Sequence, residues 1–186
     1  IPARLLGRRA AAGTGGRVEF LLVEKLESLV DADGIDRQTW EALVRGTRHQ
    51  GEAIDFGQSL SGRLVRVDEQ GTCRVELSAP MAGGGVEARI HQIGLMPVPP
   101  YIRREPDDPR GREDRDRYQT IFARSPGAIA APTAGLHFSA DLVDAIRARG
   151  VMMESVTLHV GPGTFQPVRV EHVDHHRMRA ERFVLS

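Results

Sequence analysis

The chain has little of several residue types at once. Among its 186 residues there is one cysteine, one tryptophan and, at position 25, one lysine. A solitary Cys73 excludes a disulfide framework and a cysteine-rich metal site. No apolar run approaches the ~20 residues a membrane-crossing helix needs, and no signal-peptide pattern is visible. Net charge is missing too: 25 acidic residues balance 25 basic ones. That balance argues against a generally basic nucleic-acid coat, while leaving room for a local basic patch. Because Lys25 stands alone, the cations are arginines. Arginine suits forked contacts to phosphate and carboxylate, and a genome-wide codon preference would give the same composition. The length admits one large domain or two small ones, either able to bury a sizeable core. The chain opens Ile-Pro and closes on Phe183-Val-Leu-Ser186 as though a strand were starting, so both ends read as cut from something longer.

Residues 1–98 read as β. Arg17–Glu24 is a strand with Val18, Phe20 and Leu22 on one face. Trp40–Arg45, Gly62–Val67, Thr72–Leu77 and Val86–Ile90 are further short runs. Turn signals at Asp33-Gly34, Glu69-Gln-Gly71 and Gly83-Gly-Gly85 separate them. Short strands at this spacing predict a small barrel or sandwich. Ala10–Gly16 has the look of a phosphate loop but lacks the Lys-Ser/Thr that would follow, and a hairpin turn accounts for it. Leu26–Gln38 reads as a surface excursion. The proline-stiffened Met96–Ile102 reads as a domain boundary or crossing strand. Arg103–Arg117 mixes arginines with acids and reads as a solvated face. Glu113–Ala123 is predicted helical, with Tyr118, Ile121 and Phe122 close on one face.

The most unusual stretch is Gly127-Ala-Ile-Ala-Ala-Pro-Thr-Ala-Gly-Leu-His-Phe138. Small residues let a main chain approach a ligand closely, and Pro132 stiffens the middle. Ser139 then reads as an N-cap, with Asp141 in the first turn and Leu142, Val143 and Ile146 on one face of a helix over 140–149, closed by Gly150. A helix N-terminus favours an anion, and His137 stands at that junction. Val151–Val160 is predicted as a strand, making a helix–glycine–strand unit of α/β type. It runs into Gly161-Pro-Gly-Thr-Phe-Gln-Pro167, where a ligand of an open α/β sheet would gather. Two loops, each with glycines and a histidine, could therefore frame one pocket; the alternative for each histidine is a structural hydrogen bond. His172, His175 and His176 lie near Glu171, Asp174 and Glu181, but their spacing fits no strong metal signature, and no metal is expected.

Five stretches carry a resemblance: Ile1–Leu5, Met96–Ile102, Asp116–Thr120, Pro126–Phe138 and Val156–Val168. Together they resemble the S-adenosylmethionine:tRNA ribosyltransferase-isomerase family of queuosine biosynthesis, in family order and over nearly the whole chain, with residues 25 to 95 matching loosely. Family members are longer at both ends. The resemblance implies an internal piece of mixed β and α/β class: a small β-barrel domain over 1–98, then part of an open α/β catalytic domain over 99–186. It implies transfer and isomerisation of the ribosyl group of S-adenosylmethionine onto a 7-aminomethyl-7-deazaguanine at the tRNA wobble position, giving epoxyqueuosine, adenine and methionine. His137 and His159 are then the acid/base candidates. Thr133, Gly135, Gly161, Gly163 and Thr164 would shape the pocket, and Arg4, Arg117 and Tyr118 would meet substrate or phosphate. For Tyr118, core packing is the alternative. His176 and Glu181 keep part of a His-x-Met-His-x-Glu pattern in which Arg179 replaces the second histidine. S-adenosylmethionine enters as substrate, tRNA as partner, and a cytoplasmic monomer without membrane association is expected. The other readings are a non-catalytic RNA-binding barrel module and an inactive fragment of the enzyme.

Overall fold

A computed structural model describes residues 3–10, 15–47, 49–68, 72–99, 101–105, 108–125, 127–161, 163, 170–175 and 180–185. It is sheet-rich with few helices and divides into two compact units, Ile1–Pro97 and Val98–Ser186.

The first unit holds six strands: β1 (Arg4–Arg9), β2 (Arg17–Val30), β3 (Ile35–Arg45), β4 (Ala53–Gly57), β5 (Leu60–Val67) and β6 (Thr72–Pro80), followed by helix α1 (Gly85–Ile93). They pair antiparallel in the order β1-β2-β3-β6-β5-β4, and β4 returns to β1 to close the barrel. Because side chains alternate across a strand, one side of each strand fills the interior: Val18, Phe20 and Leu22 from β2, Trp40 and Ala42 from β3, Leu60 and Leu64 from β5, and Cys73, Val75 and Leu77 from β6. Phe20 meets Phe56 edge to face at 5.6 Å. Burial pushes the Cys73 thiol up to about 12, so it sits here as a small apolar group.

Two features of this unit depart from the sequence reading. The stretch 26–38 is no surface excursion, because β2 and β3 continue through it as a hairpin. The turn is built by Asp31, whose carboxylate accepts from the Asp33 and Ile35 N–H groups. The reason this was obscure is that Glu24–Val30 is exposed on both faces, so no alternation marks it as strand. The second is Val86–Ile90, which is helix rather than strand. Val, Ala and Ile at every second position mimic a strand, yet the two residues that become buried, Val86 and Ile90, are four apart, as a helix requires. A buried carboxylate fixes this helix. Asp36, 5% exposed, accepts from the Val86 N–H at 2.8 Å and from Gln38 Nε2 at 3.0 Å, and Gln38 in turn accepts from Trp40 Nε1. Gly85 lies against it at φ +68°, and a Cβ there would fall 2.5 Å from Asp36 Oδ2.

Among the described residues the second unit holds α2 (Arg110–Arg117), a 3-10 turn (Thr133–His137), α3 (Ala140–Ala148), β7 (Val156–His159), another 3-10 turn (Val173–His175) and β8 (Arg182–Leu185). β7 and β8 form a two-stranded antiparallel ribbon. Here too the expectations need correction. The helix read over 113–123 starts earlier and stops at Arg117; Tyr118 is its C-cap, and Ile121 and Phe122 stay largely exposed. Of the strand read over 151–160, the residues 156–159 form β7, paired among the described residues with Arg182–Leu185 of β8. The mixed-charge stretch is not simply solvated, since Arg104 grips the buried Asp114 through two hydrogen bonds, of 2.8 and 2.9 Å. Among the described residues no helix is long and apolar enough to cross a membrane.

Candidate functional site

The glycine-rich stretch begins at Gly127 with φ +134°, a conformation that side chains rarely adopt. Two residues on, the Ile129 N–H donates to the Val160 carbonyl at 3.1 Å, and Ile129 is buried. The loop is thus tied to the exit of β7, next to the last strand residue, His159. The imidazole lies directly on Gly127: a Cβ at that glycine would be 2.5 Å from His159 Nδ1 and 3.0 Å from Cε1. Nδ1 is buried and has no hydrogen-bond partner among the described residues. The two segments that carry the candidate histidines therefore meet at the first residues of one and the end of the other.

Pro132 then leads into the tight turn Thr133–His137. The Gly135 N–H donates to the Pro132 carbonyl and the Phe138 N–H to the Gly135 carbonyl. Gly135 backs onto Thr120, whose Cγ2 would lie 3.1 Å from an added Cβ, and Phe138 meets Phe122 edge to face at 5.6 Å. So the middle of the loop is braced by the segment after α2. Thr133 and His137 are exposed at its two ends. Ser139 follows as an N-cap, its Oγ accepting from the Leu142 N–H at 3.2 Å, and Gly150 follows the helix C-cap at φ +76°. Val143 is the buried residue of α3; Leu142 is 43% exposed.

The Gly161 N–H donates to Glu181 Oε1 at 3.1 Å, which ties the start of the loop after β7 to the residue before β8. Gly163 is half-buried, while Thr164 and His176 lie outside the described residues. Tyr118, half-buried, has its hydroxyl 3.5 Å from that of the exposed Tyr101, and burial together with this contact pushes its phenol up to about 12. Arg117, the last residue of α2, is exposed. Arg4 belongs to the first unit: its guanidinium pairs with Glu19 at 3.0 Å and its backbone bridges Leu95 in both directions. His172 and His175 meet edge to face at 5.7 Å, and among the described residues no group of three potential ligands could hold a metal ion.

In the sequence Gly127 is one of several small residues in its stretch. Its pairing with His159 was invisible there, because 32 positions separate them and no pattern links one glycine to one imidazole across that gap. Glu181 was noted for its place in a tail pattern, not for the backbone group it holds.

These features define a sheet-rich protein whose candidate chemistry is carried on glycine-bearing loops at a strand exit and a helix entrance. Its residues 1–186 match the family described as queuosine biosynthesis protein, and the chain belongs to that family. It is 46% identical over 188 aligned residues to the S-adenosylmethionine:tRNA ribosyltransferase-isomerase of Anaeromyxobacter dehalogenans strain 2CP-C, covering all of this chain and 50% of that protein. To the protein of the same name from Geobacter sulfurreducens it is 45% identical, covering 98% of this chain and 49% of the relative. The chain spans about half the length of the curated relatives it matches. A crystal structure of S-adenosylmethionine tRNA ribosyltransferase from Thermotoga maritima is also similar, at 25% identity and a TM-score of 0.34, over 86% of this chain and 37% of that one.

Proposed function

We propose that this chain is part of an S-adenosylmethionine:tRNA ribosyltransferase-isomerase. In this reading Ile1–Pro97 is its small barrel domain and Val98–Ser186 is part of an open α/β catalytic domain. The observation that carries the proposal is the 46% identity that runs through the entire chain to a relative of that name. The bond from Ile129 to Val160, with His159 seated at the start of the glycine loop, supports it by bringing the two candidate segments together.

The chemistry sets the requirements. The sulfonium of S-adenosylmethionine acidifies the adjacent 5′ carbon, so a base must remove a proton there. Adenine leaves with its electron pair most readily when a ring nitrogen is protonated, so an acid is needed. The aminomethyl group of 7-aminomethyl-7-deazaguanine must reach the ribosyl carbon as a neutral amine. The rearranged product is epoxyqueuosine, with methionine as the other leaving group. His137 and His159 take the acid/base roles, since imidazole exchanges protons near neutral pH. Thr133, Gly135, Gly161, Gly163 and Thr164 shape the pocket, and the helix entrance at Ser139 offers N–H groups to a carboxylate such as that of the methionine portion. Arg117 and Tyr118 serve substrate contact, as does Arg4 if released from Glu19. The substrate is a wobble-position tRNA nucleoside, and no metal is required by these steps.

Titration calorimetry with S-adenosylmethionine, on this chain and on one extended to the relatives' length, tests the reading. Binding by the extended chain is expected. Its failure to bind, or tRNA binding without S-adenosylmethionine binding, rejects the enzyme in favour of an RNA-binding module. Ribosyl transfer that survives in both His137→Ala and His159→Ala removes the roles given to the histidines.

A further inference from the structure

We propose that Gly127 is a positioning residue for His159: the missing side chain is the seat on which the imidazole rests, and the seat decides which ring nitrogen can meet a ligand. The proposal rests on the reading of His159 as an acid/base group, but its structural part stands alone. Gly127 has two independent reasons to be glycine. Its φ of +134° disfavours any side chain. Separately, a Cβ would be 2.5 Å from Nδ1, 3.0 Å from Cε1 and 3.6 Å from Cγ of His159, so the space a side chain needs is already filled by the ring. The ring thus turns its Nδ1–Cε1 edge onto the loop, where Nδ1 is buried without a partner among the described residues. A buried unpaired nitrogen costs free energy that a structural histidine would recover by bonding. Here packing, not a hydrogen bond, holds the ring, and the nitrogen left to a ligand is Nε2.

Two further bonds fix the seat. Ile129 N–H to the Val160 carbonyl clamps the loop to the residue after the imidazole. Glu181 Oε1 accepts the Gly161 N–H, which holds the backbone two residues past His159. Both bonds act on the two residues that follow His159, and they fix the strand exit from which the ring projects. Glu181 thereby acts on the loop backbone.

A double-mutant cycle on this chain separates the seat from backbone strain. Gly127→Ala is made with His159 present and in a His159→Ala background, and thermal unfolding is followed. The conformational penalty at position 127 is common to both, so the proposal expects a larger loss with His159 present; equal losses overturn it. A measurement without any variant guards against failure to fold: the wild-type chain should give a nuclear Overhauser contact between the Gly127 α-protons and the His159 Hε1 proton, and its absence overturns the seat. In an extended, active chain, Gly127→Ala should lower kcat about 100-fold while affinity for S-adenosylmethionine holds. Falling affinity with unchanged kcat would instead overturn the positioning role. The proposal and the functional reading fail differently. Coupling in the cycle with full activity in His159→Ala keeps the seat and removes the acid/base role. Inactive His159→Ala without coupling does the reverse.

Discussion

The two units spend their apolar residues in opposite ways. Among the described residues, every buried hydrophobic side chain except Ile129 and Val143 lies in the first unit. The second leaves Val156, Leu158, Phe183, Val184 and Leu185 exposed along its two-stranded ribbon, with Met152 at 89% exposure close by. A barrel closed on itself satisfies its own strands and buries one face of each. A two-stranded ribbon has no such interior and is marginal alone. Yet the second unit carries the glycine loop, the helix entrance and both candidate histidines. Among the described residues the packed apolar interior lies in the first unit and both candidate histidines lie in the second. Among the described contacts of the second unit are the backbone bond at Ile129, the carboxylate on Gly161, the Arg104–Asp114 pair and the Phe122–Phe138 ring contact.

The contrast can be broken by substitution. Phe20→Ala empties the middle of the barrel and should cost about 3–5 kcal/mol, read from denaturant unfolding followed by Trp40 fluorescence; a loss below that range would mean the first unit has no tightly packed interior. Asp36→Ala leaves the Val86 N–H and the Gln38 amide without their shared acceptor, at about 1–3 kcal/mol, and hydrogen exchange at Val86 should rise with it. Leu158→Ala, on the exposed ribbon, should change stability by no more than about 0.5 kcal/mol; a large effect would show that the ribbon is covered and would erase the distinction. The smallest effect is acid titration of Asp108. The hydrogen bonds from the Arg110 guanidinium and N–H hold its carboxyl down at about 2, against an ordinary 3.8. A depressed carboxyl contributes stability above its unfolded value, lost as pH falls from near 3.8 toward 2. Arg110→Ala should move the Asp108 midpoint back up in a carbon-detected NMR titration, and an unmoved midpoint would dismiss this pair as an anchor.

What the sequence made legible follows from range. The strands of the barrel's middle could be read because Val18, Phe20 and Leu22, or Cys73, Val75 and Leu77, alternate cleanly into the interior. Strand β1 escaped notice because Gly7 interrupts its pattern; a side chain there would strike Ile54 at 2.6 Å. The short β4 escaped as well, and it acquires its identity from β1 and β5. The Ser139 cap and Gly150 are local signals, and both were found where expected. Of the candidate site, residue types and loops were readable, since glycine and histidine near predicted element ends advertise themselves. The seat of His159 on Gly127 was not, since it is a fact of three-dimensional proximity. Nor was the use of Arg4, whose partner Glu19 sits across a strand pair.

The seam that completes the barrel has a consequence for how the first unit comes apart. Among the described residues β2 and β3 are registered over ten positions, while β1 meets β4 at two, Arg8 with Asp55 and Arg9 with Ile54, with one more backbone bond from Ala10 to Ala53. A cylinder fastened by so short a clasp unrolls there first. Transient opening would uncover the facing edges of β1 and β4 while the broad β2-β3-β6 sheet persisted, so amide exchange at Ala10, whose N–H donates to the Ala53 carbonyl, should outrun that at Trp40 and Val75. Beside the seam Gly7 packs under Ile54 and Phe56, where an added Cβ would lie 2.6 Å from Ile54 Cγ2 and 2.8 Å from Phe56 Cδ1, so the missing side chain is what lets the two edges close.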